Sequence, residues 1–153
     1  MKTFTQLISD ILPSIDEIFP WDLEDMLEEN PQLLLVDIRE QDEFEFAHIK
    51  NSLHIPRGIL ESSCDWNYAE TIPALVNARQ QPVVVVCRSG NRSALAVYTM
   101  QLMGYEKIYS LKTGLKGWND SDLALYNLAG EALDPDVCEV FFNPVISAQQ
   151  LAP

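Results

Sequence analysis

Between Val83 and Ser93 the chain reads V-V-V-V-C-R-S-G-N-R-S, which brings one cysteine, one glycine and two arginines within reach of a single small molecule. A cysteine thiolate is a strong nucleophile; the free side chain ionises near ~8.5, and a helix N-terminus or nearby cations can lower this to roughly 3.5–7.5. The four valines form a short continuous apolar run, as in a strand buried on both faces, and Ser93 to Met103 has helical character. Cys87 therefore falls in the turn between a strand and a helix. Gly90 lets that turn adopt unusual backbone angles, its successive N–H groups can form a cup for an anion, and the following helix presents its positive end. The arrangement marks Cys87 as a nucleophile for sulfur chemistry.

Charge sharpens the reading. The 153 residues carry a formal net charge of -13 and only five arginines, Arg39, Arg57, Arg79, Arg88 and Arg92, two of which flank the Cys87 turn. So acidic a chain is not built for nucleic acid or an anionic membrane surface, both of which require clustered Lys and Arg. A small anion would be repelled on approach and must be held locally, so Arg88 and Arg92 predict an anionic substrate or intermediate. A composition of 47% hydrophobic and 22% charged residues fits one globular domain. Cys64, Cys87 and Cys138 are far apart and odd in number, and no C-x-x-C pair suggests zinc, a dithiol motif or a disulfide scaffold. Asp10, Pro13 and Asp16 interrupt the apolar N-terminus, and no stretch reaches membrane-span length, so the expectation is a soluble, cytoplasmic protein without metal or cofactor.

The elements that must position Cys87 follow from periodicity. Leu7, Ile8, Ile11, Ile15, Ile18 and Phe19 recur at helical spacing around Pro13, predicting an N-terminal packing arm of two short helices, or a helix and a turn, over residues 1–20. A helix is expected from Trp21 to Glu29, stopped by Asn30-Pro31, then a buried strand over Leu33–Ile38 and a helix-compatible acidic segment from Glu40 to Ala47. Ser52–Ile55 reads as a short strand, Gly58–Asn67 as a loop, Ile72–Ala78 as a helix, Val83–Val86 as the central strand and Lys107–Leu111 as one more strand after Gly104. Short apolar strands alternating with helices predict a parallel α/β sheet, in which ligands bind at the carboxyl ends of the strands. Residues 128–153 form an extension whose Val140, Phe141, Phe142, Val145 and Ile146 are expected to pack back on the domain.

Three segments, V-D-I-R-E-Q-D-E-F-E-F-A-H-I-K-N-S-L-H-I-P (Val36 to Pro56), C-R-S-G-N-R-S and L-K-T-G-L-K-G-W (Leu111 to Trp118), come in the order and spacing of a rhodanese-type sulfurtransferase domain, which residues 21–127 resemble. The resemblance implies a doubly wound parallel α/β sheet flanked by helices. It also implies a cysteine that takes sulfane sulfur from a donor such as thiosulfate, becomes a persulfide, and passes the sulfur to a thiophilic acceptor: cyanide, a thiol or an acceptor protein. Carried over residue by residue, Cys87 is the sulfur acceptor, and Arg88, Ser89, Gly90, Asn91 and Arg92 form the loop around the persulfide. Ser93 opens the helix behind it. Asp37, Arg39 and His48 match positions that support the site. The chain departs from the family's pattern at Ala47, at Asn51-Ser52, and at Thr113, where a Gly-Gly pair is common.

Other residues have types that bear on chemistry. His48 and His54 are read as structural rather than as bases for Cys87. Cys64 has a possible role as a resolving thiol but reads first as a partly buried free cysteine. Cys138 has flanking acids that disfavour its thiolate. Trp66, in an expected surface loop, reads first as a packing residue, with a place lining the pocket as the alternative. Cysteine phosphatases and arsenate reductases of this architecture place an arginine after five intervening residues; here Ser93 holds that position and Arg92 comes one residue early, so loop length favours sulfur over phosphate. A catalytically silent binding module is the other alternative, and it has no evident need for Cys87, Gly90 and both arginines.

Overall fold

Four consecutive valines are tolerated in one strand only where both of its faces are dry. The computed structural model, which describes residues 1–153, provides that setting. Strands β1 (Asp16–Ile18), β2 (Leu34–Asp37), β3 (Leu53–His54), β4 (Val83–Val86) and β5 (Ile108–Leu111) form one sheet in the order β1-β5-β4-β2-β3, with every pair parallel. The valine strand β4 is central. Val83 and Val85 point into one core with Leu60, Leu75, Val97 and Met100, while Val84 and Val86 point into the other with Leu23, Leu115 and Trp118. Each buried valine contributes about 1.5–3 kcal/mol, which offsets the roughly 1–2 kcal/mol needed to order its backbone.

Parallel neighbours require crossovers, and the helices between the strands supply them: α2 (Pro20–Glu29), α3 (Gln41–Phe46), α4 (Leu60–Ser63), α5 (Pro73–Val76) and α6 (Asn91–Leu102). Before β1 comes α1 (Phe4–Ile11), and after β5 come α7 (Gly114–Asp120) and α8 (Pro135–Phe141). Residues of α4, α5 and α6 share one core; residues of α2, α7 and α8 share the other. The fold is thus α/β, a five-stranded parallel sheet flanked by helices, with the carboxyl ends of β2 and β4 side by side through the Asp37–Val86 pair.

Several elements differ from the sequence expectation. Ile15 and Ile18 are not helical: after α1 and a single 3-10 turn at Leu12–Ser14, the chain straightens into β1 and pairs with the open edge of β5. Pro13 ends the helical run, and the unpaired edge of β5 then offers backbone partners that three polar-flanked residues could not signal. The loop 58–67 contains the short helix α4, and the strand at 52–55 shrinks to two residues. Helices α7 and α8 were not expected; each is short, and α7 begins in a glycine-containing turn. In α8, Cys138 is buried, and Phe142 just after it packs beside α7, whereas Val145, Ile146 and Leu151 are exposed. No helix is long and apolar enough to cross a membrane.

Candidate active site

Cys87 follows β4 directly, and its side chain is 1% exposed. Gly90, at φ +95°, turns the chain so that α6 starts with its amino end over the sulfur. The Gly90 N–H lies 3.1 Å from Cys87 Sγ, the Ser93 N–H 3.3 Å, and the Ser93 hydroxyl 3.3 Å. The backbone N–H groups of Arg88, Ser89, Asn91 and Arg92 have no acceptor within the protein. Such free donors at a helix start, next to a buried thiol, form a ready site for added negative charge.

A second layer holds this loop in place. At the start of α7, Leu115 N–H donates to Cys87 O (2.9 Å) and Lys116 N–H donates to Arg88 O (3.0 Å). Gly114, at φ +61°, makes the contact possible, because a Cβ there would sit 2.5 Å from Arg88 C, Arg88 O and Ser89 N. The segment L-K-T-G-L-K-G-W is therefore a brace for the Cys87 loop. Thr113, which stands where a glycine is usual, takes φ +69°, a strained value for a β-branched residue. Gly117 accommodates it: a Cβ at 117 would overlap the Thr113 side chain.

The two loop arginines are not equivalent. Arg92 donates both Nη1 and Nη2 to the Glu43 carboxylate, each at 2.8 Å, so its charge is already engaged. Burial pushes the Glu43 carboxyl up, but the Arg92 hydrogen bonds and charge outweigh this and hold it below the usual carboxylate range. Arg88 is half-buried and makes no ion pair, which leaves it as the loop's free cation. Glu43 escaped the sequence reading because it sits in an acidic run, where no one carboxylate stands out.

Asp37 and Arg39 form a fully buried pair at the end of β2: Arg39 Nε and Nη2 donate to Asp37, and Nη2 also donates to Ala47 O at 2.6 Å. Arg39 Nη1 is buried without a partner. His48 uses Nδ1 on Phe44 O (2.8 Å), His54 uses Nε2 on Arg39 O (2.8 Å), and the two imidazoles stack on opposite sides of Phe44 at 4.2 and 4.4 Å. Neither histidine contacts Cys87. Each joins α3, which carries Glu43, to the rest of the fold.

The remaining thiols are set apart. Cys64 is fully buried in the core with α4 and α5, and burial pushes its thiol up. Burial pushes Cys138 up as well, with Asp134 adding a smaller effect, so its surroundings matter more than the flanking acids expected from sequence. Trp66 is 47% exposed and does not line the cleft beside the Cys87 loop. A cleft of about 450 Å³ opens beside the loop at Ser89, between Thr113, Lys116 and the stacked rings of Phe19 and Trp21.

Comparison with known proteins matches this geometry. The chain is 30% identical over 105 residues to the putative sulfur carrier protein YrkF of Bacillus subtilis, covering 69% of this chain and 51% of that protein, so it spans about half of YrkF. It is 30% identical over 90 residues to the thiosulfate sulfurtransferase GlpE of Tolumonas auensis, covering 58% of this chain and 74% of that protein. A solved structure of RPA3614 from Rhodopseudomonas palustris, described as a possible tyrosine phosphatase, superposes with a TM-score of 0.73 at 26% identity, over 80% of this chain and 92% of that one. The family model of the rhodanese-like domain matches residues 20–121, a stretch that runs from α2 through the Cys87 loop to its α7 brace, and the chain belongs to that family.

Proposed function

We propose that the protein is a sulfurtransferase in which Cys87 carries sulfane sulfur as a persulfide. The supporting observation is that the Cys87 sulfur already accepts from the Gly90 and Ser93 N–H groups while four more amides of the same loop, at Arg88, Ser89, Asn91 and Arg92, are free. A second sulfur atom bonded to Cys87 would carry negative charge into this donor-rich loop. The cup holds this charge without a metal or a cationic base, as oxyanion holes hold theirs.

With thiosulfate as donor, the Cys87 thiolate attacks the outer sulfur. The new S–S bond forms as the bond to the sulfonate sulfur breaks, and sulfite leaves with the electron pair. Arg88, the unpaired cation, steadies the incoming anion, whereas Arg92 holds Glu43 and α3 in place. A nucleophile such as cyanide or a thiolate then takes the terminal sulfur, and the pair of the breaking S–S bond returns to Cys87. Its names link YrkF with sulfur carriage and GlpE with thiosulfate, so a protein acceptor and a small anionic donor are the partners we assign here.

Loop length separates this reading from phosphatase chemistry. The position an arginine takes in a phosphatase loop is Ser93, whose side chain turns inward to the sulfur. The test is thiocyanate formation from thiosulfate and cyanide. Wild type should turn over, and Cys87→Ser, with a hydroxyl far less nucleophilic at neutral pH, should not. Equal rates in the two proteins would reject Cys87 as the carrier.

A further inference from the structure

Ser110 is fully buried on β5, and its hydroxyl lies 2.7 Å from Ser93 Oγ, the only hydrogen-bond partner it has. Ser93 Oγ faces three groups: Ser110 Oγ, Gly90 O at 3.2 Å and Cys87 Sγ at 3.3 Å. A hydroxyl brings one proton and two lone pairs, while a carbonyl oxygen and a thiolate only accept. Once Cys87 is ionised, the single Ser93 proton therefore has up to three claimants. Ser110 removes itself from the contest. Shielded from water, it can satisfy its own proton only on Ser93 Oγ, which then occupies a Ser93 lone pair and directs the Ser93 proton to Gly90 O or the sulfur. The charged acceptor is the stronger of the two.

We infer that Ser110 is a positioning residue which, through Ser93, turns a third hydrogen bond onto the Cys87 sulfur alongside the Gly90 and Ser93 amides. This rests on Cys87 being the nucleophile of the proposed function. The bond stabilises the thiolate before attack and again when it departs from the persulfide in the second step. It also explains a buried serine on a sheet face that it shares with Ile108, Val83 and Val85.

The experiment follows alkylation of Cys87 by iodoacetamide across pH, with peptide mass used to separate Cys87 from Cys64 and Cys138. The charged groups near the sulfur are Arg88, the Arg92–Glu43 pair and the Asp37–Arg39 pair, and they are unchanged in every variant. Ser110→Ala should alkylate about 3- to 10-fold more slowly at neutral pH, with its profile displaced to higher pH. Ser110→Thr and Ser110→Val have the same shape; Thr should restore the wild-type profile and Val should not, whatever the extra methyl does to packing. In a Ser93→Ala background, Ser110→Ala should have no further effect. A profile unchanged by Ser110→Ala, identical Thr and Val variants, or an undiminished Ser110 effect without the Ser93 hydroxyl would each overturn the inference. Alkylation needs no sulfur donor, so loss of sulfur transfer with this coupling intact would count against the proposed function alone.

Discussion

Gly114→Ala is a sharp probe of how the Cys87 loop is held. The added Cβ would lie 2.5 Å from three backbone atoms of Arg88 and Ser89, about 1 Å inside ordinary contact, and none of them can rotate away. At φ +61° the new residue also carries about 1–2 kcal/mol of left-handed strain, and overpacking adds about 1–3 kcal/mol. A destabilisation of about 2–5 kcal/mol corresponds to a fall in melting temperature of roughly 5–15 °C for a chain of this length. The loop can escape only by retreating from α7, which breaks the bonds from Leu115 and Lys116 to the Cys87 and Arg88 carbonyls. A displacement near 1 Å at reacting atoms lowers rate by about 10²-fold. Thermal melts and thiosulfate-to-cyanide turnover are the assays. Gly58→Ala is the control, since a Cβ there meets nothing within 4 Å, and it should leave both readouts unchanged. A Gly114→Ala protein with wild-type melting and turnover would refute the bracing role of α7.

Gly117→Ala alone should be strongly destabilising because it overlaps Thr113, and Thr113→Gly should restore most of the loss, as measured by a double-mutant melt. Arg88→Ala should raise the KM for thiosulfate severalfold with little change in melting temperature, whereas Arg92→Ala should lower melting because it strands Glu43. Asp37→Asn leaves Arg39 buried without its counter-charge and should cost about 3–5 kcal/mol in denaturant unfolding. The Glu43 carboxyl is held low in the folded state, so its pairing stabilises fully above its unfolded value of 4.5 and is lost as pH falls through the lower folded value; the melting advantage of wild type over Glu43→Gln should shrink on acidification below 4.5.

Much of the site was legible because local chemistry and topology agree there. V-V-V-V followed by C-R-S-G-N-R-S specifies a doubly buried strand, a turn and a helix start without outside help, and the structure shows β4, Gly90 and α6 in that order. The parts that could not be read depend on partners distant in sequence. β1 exists because β5 leaves an edge open; Glu43 matters because α3 brings it to Arg92 in the first turn of α6; Ser110 matters because β5 places it against Ser93. Arg92 shows the limit most clearly. Its place in the loop suggested an anion ligand, and only the fold reveals a resident carboxylate. The fold likewise separates the three thiols: all are buried, but only the Cys87 sulfur accepts backbone N–H groups at the start of α6, whereas burial pushes Cys64 and Cys138 up.

The central claim is that Cys87 itself carries the transferred sulfur. Mass spectrometry of the protein after brief exposure to thiosulfate, with reductant excluded, tests this directly. The account predicts a mass gain of one sulfur atom, mapped to the peptide containing Cys87 and lost on addition of cyanide. An unmodified Cys87, or the added sulfur on Cys64 or Cys138, would contradict it.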